Sequence, residues 1–363
     1  MKKVVTFGEI MGRISPAGFL RFRQALPGTM TMSFAGAEAN VAASIAYMGG
    51  SASFVTSLPR NDITDACLAQ LRAIGVDTSG VVVNNAGRLG LYYTENGSNQ
   101  RPSRVIYDRA YSAISLTEPS QYDWESVFEG AGWFHVTGIT PSLSKLAAEA
   151  AVYSVKKAKE KGLSVSCDLN FRSKLWRWDP SMSPAELARC TMESLLAYVD
   201  VLIANEEDAS SVLGIQPANT DINSGRIDAQ EYKQTAAQIA GMFPNITKIA
   251  TTLRQNISAS HNNWGAMLYD CTEKDSYYAP LKDGRYSPYS ITHIVDRVGG
   301  GDSFAAALIY ALNTEKAADL QEVLDYAAAA SCLAHTISGD YNFNTREEIE
   351  TLAAGNAAGR VVR

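Results

Sequence analysis

The spacing of apolar segments constrains this chain more than any other feature. Short runs rich in β-branched residues alternate with longer segments of helical periodicity over most of its length. Strands are predicted at residues 4–7, 53–58, 132–136, 163–168, 199–203, 248–252 and 266–269, and helices at 37–48, 62–74, 144–161, 184–197, 229–242, 303–312 and 320–335. Alternation of this kind is typical of a parallel sheet covered by crossover helices. The sequence therefore predicts an α/β fold with a central, mostly parallel sheet.

The alternation breaks between about residues 80 and 110, where short strands are separated by Gly- and Asn-containing turns. Together with the stretch 13–34, these segments predict a small β-sheet lid on the main domain. No Pro- and Gly-rich linker divides the 363 residues, so we expect a single domain over 1–363 with a lid from 13–34 and 80–110. Because a small sheet is barely stable alone, we expect the lid to join subunits in a homodimer or higher homo-oligomer.

Charge and cysteine content exclude several classes of protein. The formal net charge of −6 argues against the basic stripe of a nucleic-acid-binding surface. Five widely spaced cysteines without a C-x-x-C pair indicate neither a disulfide framework nor a zinc site, as is typical of a reducing compartment. The sequence has no run of about 18 apolar residues and no apolar leader at its N-terminus. We therefore expect a cytoplasmic protein with no nucleic-acid or membrane partner.

Three glycines stand directly before a predicted helix, in the segment DRVGGGDSF at residues 296–304. Glycine lets the backbone approach a ligand closely, and a helix N-terminus offers unpaired N–H groups to a phosphate. Asp302 follows Gly299, Gly300 and Gly301, where its carboxylate can take a proton from a hydroxyl aimed at a phosphoryl group. We expect the helix end to lower the pKa of Asp302. The alternative is a tight turn in which Asp302 only caps the helix.

The segment DRVGGGDSF resembles the C-terminal signature of the PfkB family of carbohydrate kinases, and the resemblance extends over essentially the whole chain. It implies a ribokinase-like three-layer sandwich, with Asp302 as catalytic base and the amides of Gly299 to Gly301 as the anion hole for the γ-phosphate. ATP and Mg²⁺ are implied as ligands, and a need for a monovalent cation stays open. P-loop, dinucleotide-binding and zinc-protease motifs are missing from the sequence.

The segment FAGAEAN at residues 34–40 resembles the family's G-G-x-x-x-N element. This resemblance implies that Gly36 and Asn40 contact the sugar. Without it, Asn40 would be read as a helix residue with a solvated side chain.

Two segments resemble the nucleotide side of the family's site. Asn205 and Asp208, in the segment NEED, stand at the N-x-x-E positions that organise Mg²⁺ and the phosphates, and Asp208 can hold a hydrated ion through water. The alternative is that the carboxylates of this segment only cap the next helix. Thr252 and Arg254 stand where relatives have T-x-G, and Arg254 either contacts phosphate or shapes the loop.

The implied substrate is a small sugar acid, because DLNFRSKLW at 168–176 and YDRA at 107–110 resemble elements of 2-keto-3-deoxygluconate kinases. The implied sugar ligands from these and neighbouring elements are Tyr92, Tyr107, Arg109, Arg172 and Asp340. Arginine binds a carboxylate through two parallel hydrogen bonds, so Arg109 and Arg172 together suit an acid better than a neutral sugar. The alternative is that Arg172 pairs with Asp168 and Arg109 is a solvated lid residue.

Other functions stay open at this point. A ribokinase or fructokinase acting on a neutral sugar is the nearest alternative, and a nucleoside kinase of the same superfamily is another. A non-catalytic sugar sensor on the same fold would be expected to lose the base or the anion hole, and both are intact here.

Overall fold

The computed structural model of the protein describes residues 1–215 and 229–356. The strands are β1 (Lys3–Phe7), β2 (Met11–Ser15), β3 (Thr31–Ala35), β4 (Ala52–Val55), β5 (Ser57–Pro59), β6 (Val82–Asn84), β7 (Gly90–Glu95), β8 (Arg104–Asp108), β9 (Ala131–Thr137), β10 (Ser164–Asp168), β11 (Val201–Ile203), β12 (Lys248–Ser258), β13 (His261–Asp270), β14 (Asp275–Ala279), β15 (Leu281–Lys282), β16 (Arg285–Tyr286) and β17 (Tyr289–Ile291).

The α-helices are α1 (Phe22–Ala25), α2 (Ala37–Tyr47), α3 (Asp62–Ile74), α4 (Ala113–Leu116), α5 (Trp124–Val127), α6 (Ile139–Ser142), α7 (Lys145–Glu160), α8 (Pro184–Leu196), α9 (Glu206–Leu213), α10 (Ala229–Met242), α11 (Gly300–Leu312), α12 (Leu320–Ala334) and α13 (Arg346–Ala353). Among the described residues, no helix has the length and apolarity needed to cross a bilayer.

A large central sheet runs in the order β14-β13-β12-β11-β10-β9-β1-β4, with β17 paired to β13. The strands from β12 to β4 are mutually parallel, and β13, β14 and β17 add an antiparallel edge. The prediction of an α/β fold with a mostly parallel sheet is confirmed. The carboxyl ends of the parallel strands meet at one edge, which is where open α/β sheets bind their ligands.

Both faces of this sheet are buried, as parallel sheets require. Successive residues of one strand enter opposite cores: Val4 packs with helices α2, α11 and α12, whereas Val5 packs with α7 and α8. The sheet is therefore the middle of three layers, and helix α11, which begins in the glycine turn, is buried along most of its length.

The lid sheet consists of strands β3, β2, β7 and β8, in that order. Its register aligns two rows of side chains across all four strands. One row contains Ser33, Arg13, Tyr92 and Tyr107; the other contains Met32, Ile14, Tyr93 and Ile106. Tyr92 and Tyr107 face the cavity described below, so the second row lies on the outer face of the lid.

Two details differ from the sequence predictions, and a third lies outside the described residues. Val82–Asn84, predicted as part of the lid, pairs instead with β5 in a separate two-stranded sheet. Strands β12 and β13 run several residues beyond the predicted 248–252 and 266–269, because they pair as one long hairpin. Residues 216–228 and 357–363, part of the predicted single domain, lie outside the described residues.

Candidate active site

A cavity of about 610 Å³ opens at the carboxyl edge of the central sheet, beneath the lid sheet. Almost every residue predicted from the sequence to bind sugar, nucleotide or metal lines it. These are Gly36, Asn40, Tyr92, Tyr107, Arg109, Arg172, Asn205, Asp208, Thr252, Arg254, Gly299, Gly301, Asp302 and Asp340. Gly300 does not line the cavity; a side chain there would meet the ring of His335 at 2.9 Å.

The glycine turn forms the start of helix α11 and not a loop before it. Gly299 caps the helix with a φ of +86°, and a Cβ atom there would lie 2.2 Å from the carbonyl oxygen of Asp340. The first helical hydrogen bond runs from the Ser303 amide to the Gly299 carbonyl at 2.8 Å, so the preceding amides have no helical partner. Gly301 has open space at its Cα. These amides and the helix dipole suit an anion.

Asp302 lies in the first turn of α11, and the alternative that it serves as the helix cap is wrong because Gly299 holds that position. Its Oδ2 accepts a hydrogen bond of 2.6 Å from the Nδ2 of Asn40. The Oδ1 of Asn40 accepts the Gly36 amide at 3.2 Å, which fixes the orientation of the Asn40 amide group. Asn40 is therefore not a solvated helix residue; it is buried and orients the carboxylate of Asp302.

The expectation that the helix end lowers the pKa of Asp302 is wrong. Burial raises the pKa of this carboxyl to about 6, and the nearby charge of Asp340 raises it further, against the opposing effects of Asn40 and Arg172. Loss of solvation outweighs the dipole here because the side chain sits deep in the cavity. A carboxylate with a pKa near 6 is a stronger base than an ordinary aspartate and is still ionised at neutral pH.

The pH dependence of turnover should report this raised pKa. As the predicted base, Asp302 must be ionised for turnover, so we expect kcat/KM for the sugar to fall about tenfold per pH unit below about pH 6 and to level off above about pH 7. The measurement is a pH profile at saturating ATP, so that protonation of free nucleotide does not contribute. A profile that stays flat down to about pH 4.5 would show an ordinary aspartate and contradict the assignment.

Three carboxylates, those of Asp168, Asp208 and Asp302, lie close together in the cavity wall. Burial raises the pKa of Asp168 well above its usual value, and the charges of Asp208 and Asp302 raise it further. The Oδ1 of Asp208 accepts the Phe171 amide at 3.0 Å, and Asn205 accepts the Asp208 amide at 2.9 Å, capping helix α9. The cap of helix α9 is therefore the amide side chain of Asn205, whereas the alternative assigned this role to the carboxylates. Oxygen donors that repel one another suit a hard cation such as Mg²⁺.

Two arginines face the cavity from strand β12 and the glycine turn. Arg254 is exposed, and its side chain has no hydrogen bond or ion pair within residues 1–215 and 229–356. Arg297 is fixed by hydrogen bonds of 3.1 and 2.7 Å to the carbonyl oxygens of Ser258 and Ala259. Burial lowers the pKa of Arg297, and the charge of Arg254 adds to this effect. The guanidinium of Arg254 is therefore close to a second cation and free to bind an anion. Arg254 does not shape a loop, because it lies within strand β12.

The two arginines predicted to bind a substrate carboxylate have different surroundings. Arg172 is exposed and lines the cavity, and its Nη1 donates a hydrogen bond of 2.9 Å to the carbonyl oxygen of Phe171. It makes no ion pair with Asp168 in the described part of the chain, so that alternative is wrong. Arg109 is buried and forms an ion pair with Glu9. The alternative of a solvated lid residue is wrong too, and the charge of Arg109 is already balanced.

Two residues that the sequence did not single out support the cavity wall. Glu38 is buried, and its Oε1 accepts the Thr137 amide at 3.0 Å and the hydroxyls of Thr137 and Thr140 at 2.7 and 2.8 Å. Burial raises the pKa of Glu38 to about 7 despite these donors. Arg13 is buried between Asp296 and Asp340. Its position two residues from both Gly36 and Asn40 is the only signal in the sequence that could have identified Glu38. A glutamate in a helix is usually exposed, so the residue type alone does not predict burial.

Comparison with known proteins identifies the family to which this chain is similar. The model of the pfkB family of carbohydrate kinases matches residues 1–346. The 2-dehydro-3-deoxygalactonokinase of Haloferax volcanii is 32% identical over 357 residues, which cover 98% of each chain. The crystal structure of the 2-dehydro-3-deoxygluconokinase of Thermotoga maritima has a TM-score of 0.87 at 44% identity, covering 98% of this chain and 100% of that one. Fructokinase-1 of Oryza sativa subsp. japonica is 25% identical over 341 residues, 93% of this chain and 92% of that protein.

These similarities run along nearly the whole chain, including the glycine turn, the lid and the cavity between them. They confirm the predicted ribokinase-like fold and the predicted class of enzyme, a sugar kinase. The chain belongs to the pfkB family of carbohydrate kinases.

Proposed function

We propose that this kinase transfers the γ-phosphoryl group of ATP to the 6-hydroxyl of a 2-keto-3-deoxy sugar acid, 2-keto-3-deoxygluconate being the substrate that fits best. The observation that carries this proposal is Arg172, whose side chain is exposed on the cavity wall and, within the described residues, donates only to a backbone carbonyl. A cation so placed suits an anionic substrate. Two of its relatives are named 2-dehydro-3-deoxygalactonokinase and 2-dehydro-3-deoxygluconokinase, and they are 32% and 44% identical to this chain, each with 98% of it covered.

The chemistry follows from the positions of Asp302 and the glycine turn. The Asp302 carboxylate accepts the proton of the substrate hydroxyl as the hydroxyl oxygen bonds to the γ-phosphorus, and the bond to the bridging oxygen of ADP breaks. The amides at the start of α11 face the phosphoryl oxygens, whose negative charge they stabilise in the transition state. Asn40 keeps the ionised carboxylate aimed at the hydroxyl.

Mg²⁺ fits the nucleotide side, where Asn205 and Asp208 would hold it through water and Asp168 lies nearby. Bound there, the ion neutralises phosphate charge. Thr252 lines the same side of the cavity, and Arg254 offers its free guanidinium to the phosphates. A cation would also relieve the repulsion by Asp208 and Asp302 that adds to burial in raising the pKa of Asp168.

On the sugar side, Gly36, Tyr92 and Tyr107 line the cavity. Gly36 leaves no room for a side chain, since a Cβ atom would lie 2.0 Å from the Glu9 carbonyl oxygen. Tyr107 is 42% exposed on the inner face of the lid, so its hydroxyl is free to meet a sugar. Both tyrosines combine an apolar ring with a polar tip, as a sugar ring requires.

Thermal unfolding tests the substrate class without any assumption about turnover. Ligands that bind the folded state raise Tm by mass action. With an unreactive ATP analogue present, we expect 2-keto-3-deoxygluconate or its C4 epimer to raise Tm more than fructose, ribose or adenosine at equal concentration. A larger shift with a neutral sugar would favour the fructokinase alternative, and a larger shift with adenosine would favour a nucleoside kinase.

We also propose that the outer face of the lid joins two copies of the chain. The outer row is apolar across all four strands, and its end members Met32 and Ile106 are 43% and 55% exposed. An exposed apolar sheet face of this kind marks an interaction surface. A second lid offers the same row of side chains, so that the contact can be self-complementary.

A charge placed on this row should separate the subunits. We expect Ile106→Glu to be monomeric at micromolar concentration while the wild type sediments as a dimer or larger assembly, because the glutamate would be buried unpaired at the interface. The matched control is Ile63→Glu, an exposed isoleucine on α3 away from the lid. A wild type that sediments only as a monomer, or an Ile106→Glu variant that stays associated, would contradict this proposal.

A further inference from the structure

Arg13 is a buried cation that joins the lid to the anion hole. It stands in the inner row of the lid sheet, on strand β2, with only 3% of its surface exposed. Its Nη1 donates to Asp340 and its Nη2 donates to Asp296. Tyr92, the next member of the row, donates from its hydroxyl to the other oxygen of Asp340 at 2.7 Å. Lid and core are therefore connected through two carboxylates and one guanidinium.

Both carboxylates hold the backbone of the anion hole. The Oδ1 of Asp296 accepts the amides of Arg297 and Val298 at 2.8 and 3.2 Å, which sets the path of the chain into Gly299. The carbonyl of Asp340 packs against the Cα of Gly299 so closely that no side chain would fit. A movement of either aspartate would therefore shift the amides that face the phosphate.

These carboxylates need a positive charge between them. Two buried carboxylates without a cation repel each other and would take up protons. A bound monovalent cation could supply this positive charge. Whether the protein needs such an ion is a question that the sequence leaves open. In this chain the guanidinium of Arg13 already lies between the two carboxylates and donates to both.

We propose that Arg13 is a positioning residue that assembles the anion hole, acting as a built-in cation in place of a bound monovalent ion and transmitting the position of the lid to the glycine turn. This inference deepens the kinase function and does not depend on which sugar is phosphorylated. It implies that turnover is independent of K⁺, and that opening the lid loosens the phosphate site.

The first test needs no variant. We expect the wild type to show the same kcat, and the same rise in Tm with an unreactive ATP analogue, in K⁺, Na⁺ and tetramethylammonium buffers. A wild type that requires K⁺ for either property would overturn the proposal. Because the Tm readout needs no sugar, it separates this inference from the identity of the substrate.

The second test removes the side chain. We expect Arg13→Ala to lower kcat about 10²-fold, the size of effect that a misplacement of about 1 Å produces, and to raise KM for ATP. Guanidinium ion at tens of millimolar, or K⁺, should restore part of the lost turnover and of the Tm response to the nucleotide analogue. Arg13→Lys keeps the positive charge but not the planar guanidinium that donates to both carboxylates, so its kcat should lie between those of the wild type and Arg13→Ala.

The matched control is Arg88→Gln, which breaks an exposed ion pair with Asp108 at the rim of the lid and should change neither kcat nor ion dependence. A purely structural role for Arg13 would appear as a lower Tm with normal kcat per folded molecule, and would overturn the proposal. A folded Arg13→Ala variant whose lost activity neither guanidinium nor K⁺ restores would overturn it as well.

Discussion

Asp302→Asn is expected to lower kcat by about 10²–10⁴-fold while ATP still binds. The amide keeps the shape of the carboxylate and its place in the first turn of α11, but it cannot accept the proton of the sugar hydroxyl. The measurement is kcat for sugar phosphorylation, together with the affinity for an unreactive ATP analogue. The matched control is Asp325→Asn, a half-buried carboxyl with a raised pKa on α12 outside the cavity, which should keep wild-type turnover.

The same substitution should stabilise the fold at pH 8. Because the pKa of Asp302 is about 6 in the folded protein and near 3.8 when exposed, the wild type loses stability as pH rises from about 4 to 6, and the full cost is present above that range. Asn carries no charge, so the variant should be more stable by on the order of 2 kcal/mol at pH 8 and by much less at pH 4. Near-wild-type turnover, or a variant less stable than wild type at pH 8, would contradict the role of Asp302 as a partly buried base with a raised pKa.

Arg172→Leu is the second large effect, and it tests the substrate class. Charge-assisted hydrogen bonds to a carboxylate are worth about 1.5–3 kcal/mol each, so kcat/KM for the sugar acid should fall roughly 10- to 150-fold. Activity on fructose should change much less, because fructose has no carboxylate to lose. The matched control is Arg177→Leu, an exposed arginine directly after the segment 168–176 that does not line the cavity.

Equal losses on both sugars would show that Arg172 serves the phosphate or the architecture. Arg109 is a poorer probe than Arg172. Its removal would leave Glu9 as a buried unpaired charge, which is expected to cost about 3–5 kcal/mol of stability. Loss of activity in Arg109→Leu would therefore report on folding as well as on the substrate.

Local patterns in the sequence were enough to predict the main sheet and the glycine turn. The alternation of strands and helices is a property of neighbouring residues, and the segment around Asp302 carries its own signature. Contacts between distant residues were not accessible in this way. Arg13 reaches Asp296 and Asp340 across more than 280 positions, and nothing near it in the chain indicates those partners.

The errors have the same origin. The pKa of Asp302 depends on how deeply the side chain is buried, whereas the helix end is a local feature that the sequence displays. Val82–Asn84 has the composition of a lid strand, but its pairing with β5 is decided by packing on the main domain. The alternative of a solvated Arg109 failed because its partner, Glu9, lies 100 residues earlier.

The most direct test of the proposed function is kcat/KM of the wild type for 2-keto-3-deoxygluconate, its C4 epimer and fructose, with ATP and Mg²⁺ in each assay. We expect one or both sugar acids to be preferred by at least about tenfold, the lower limit expected for one charge-assisted hydrogen bond, with phosphate appearing on the 6-hydroxyl. A wild type that prefers fructose, or that phosphorylates neither acid, would contradict it.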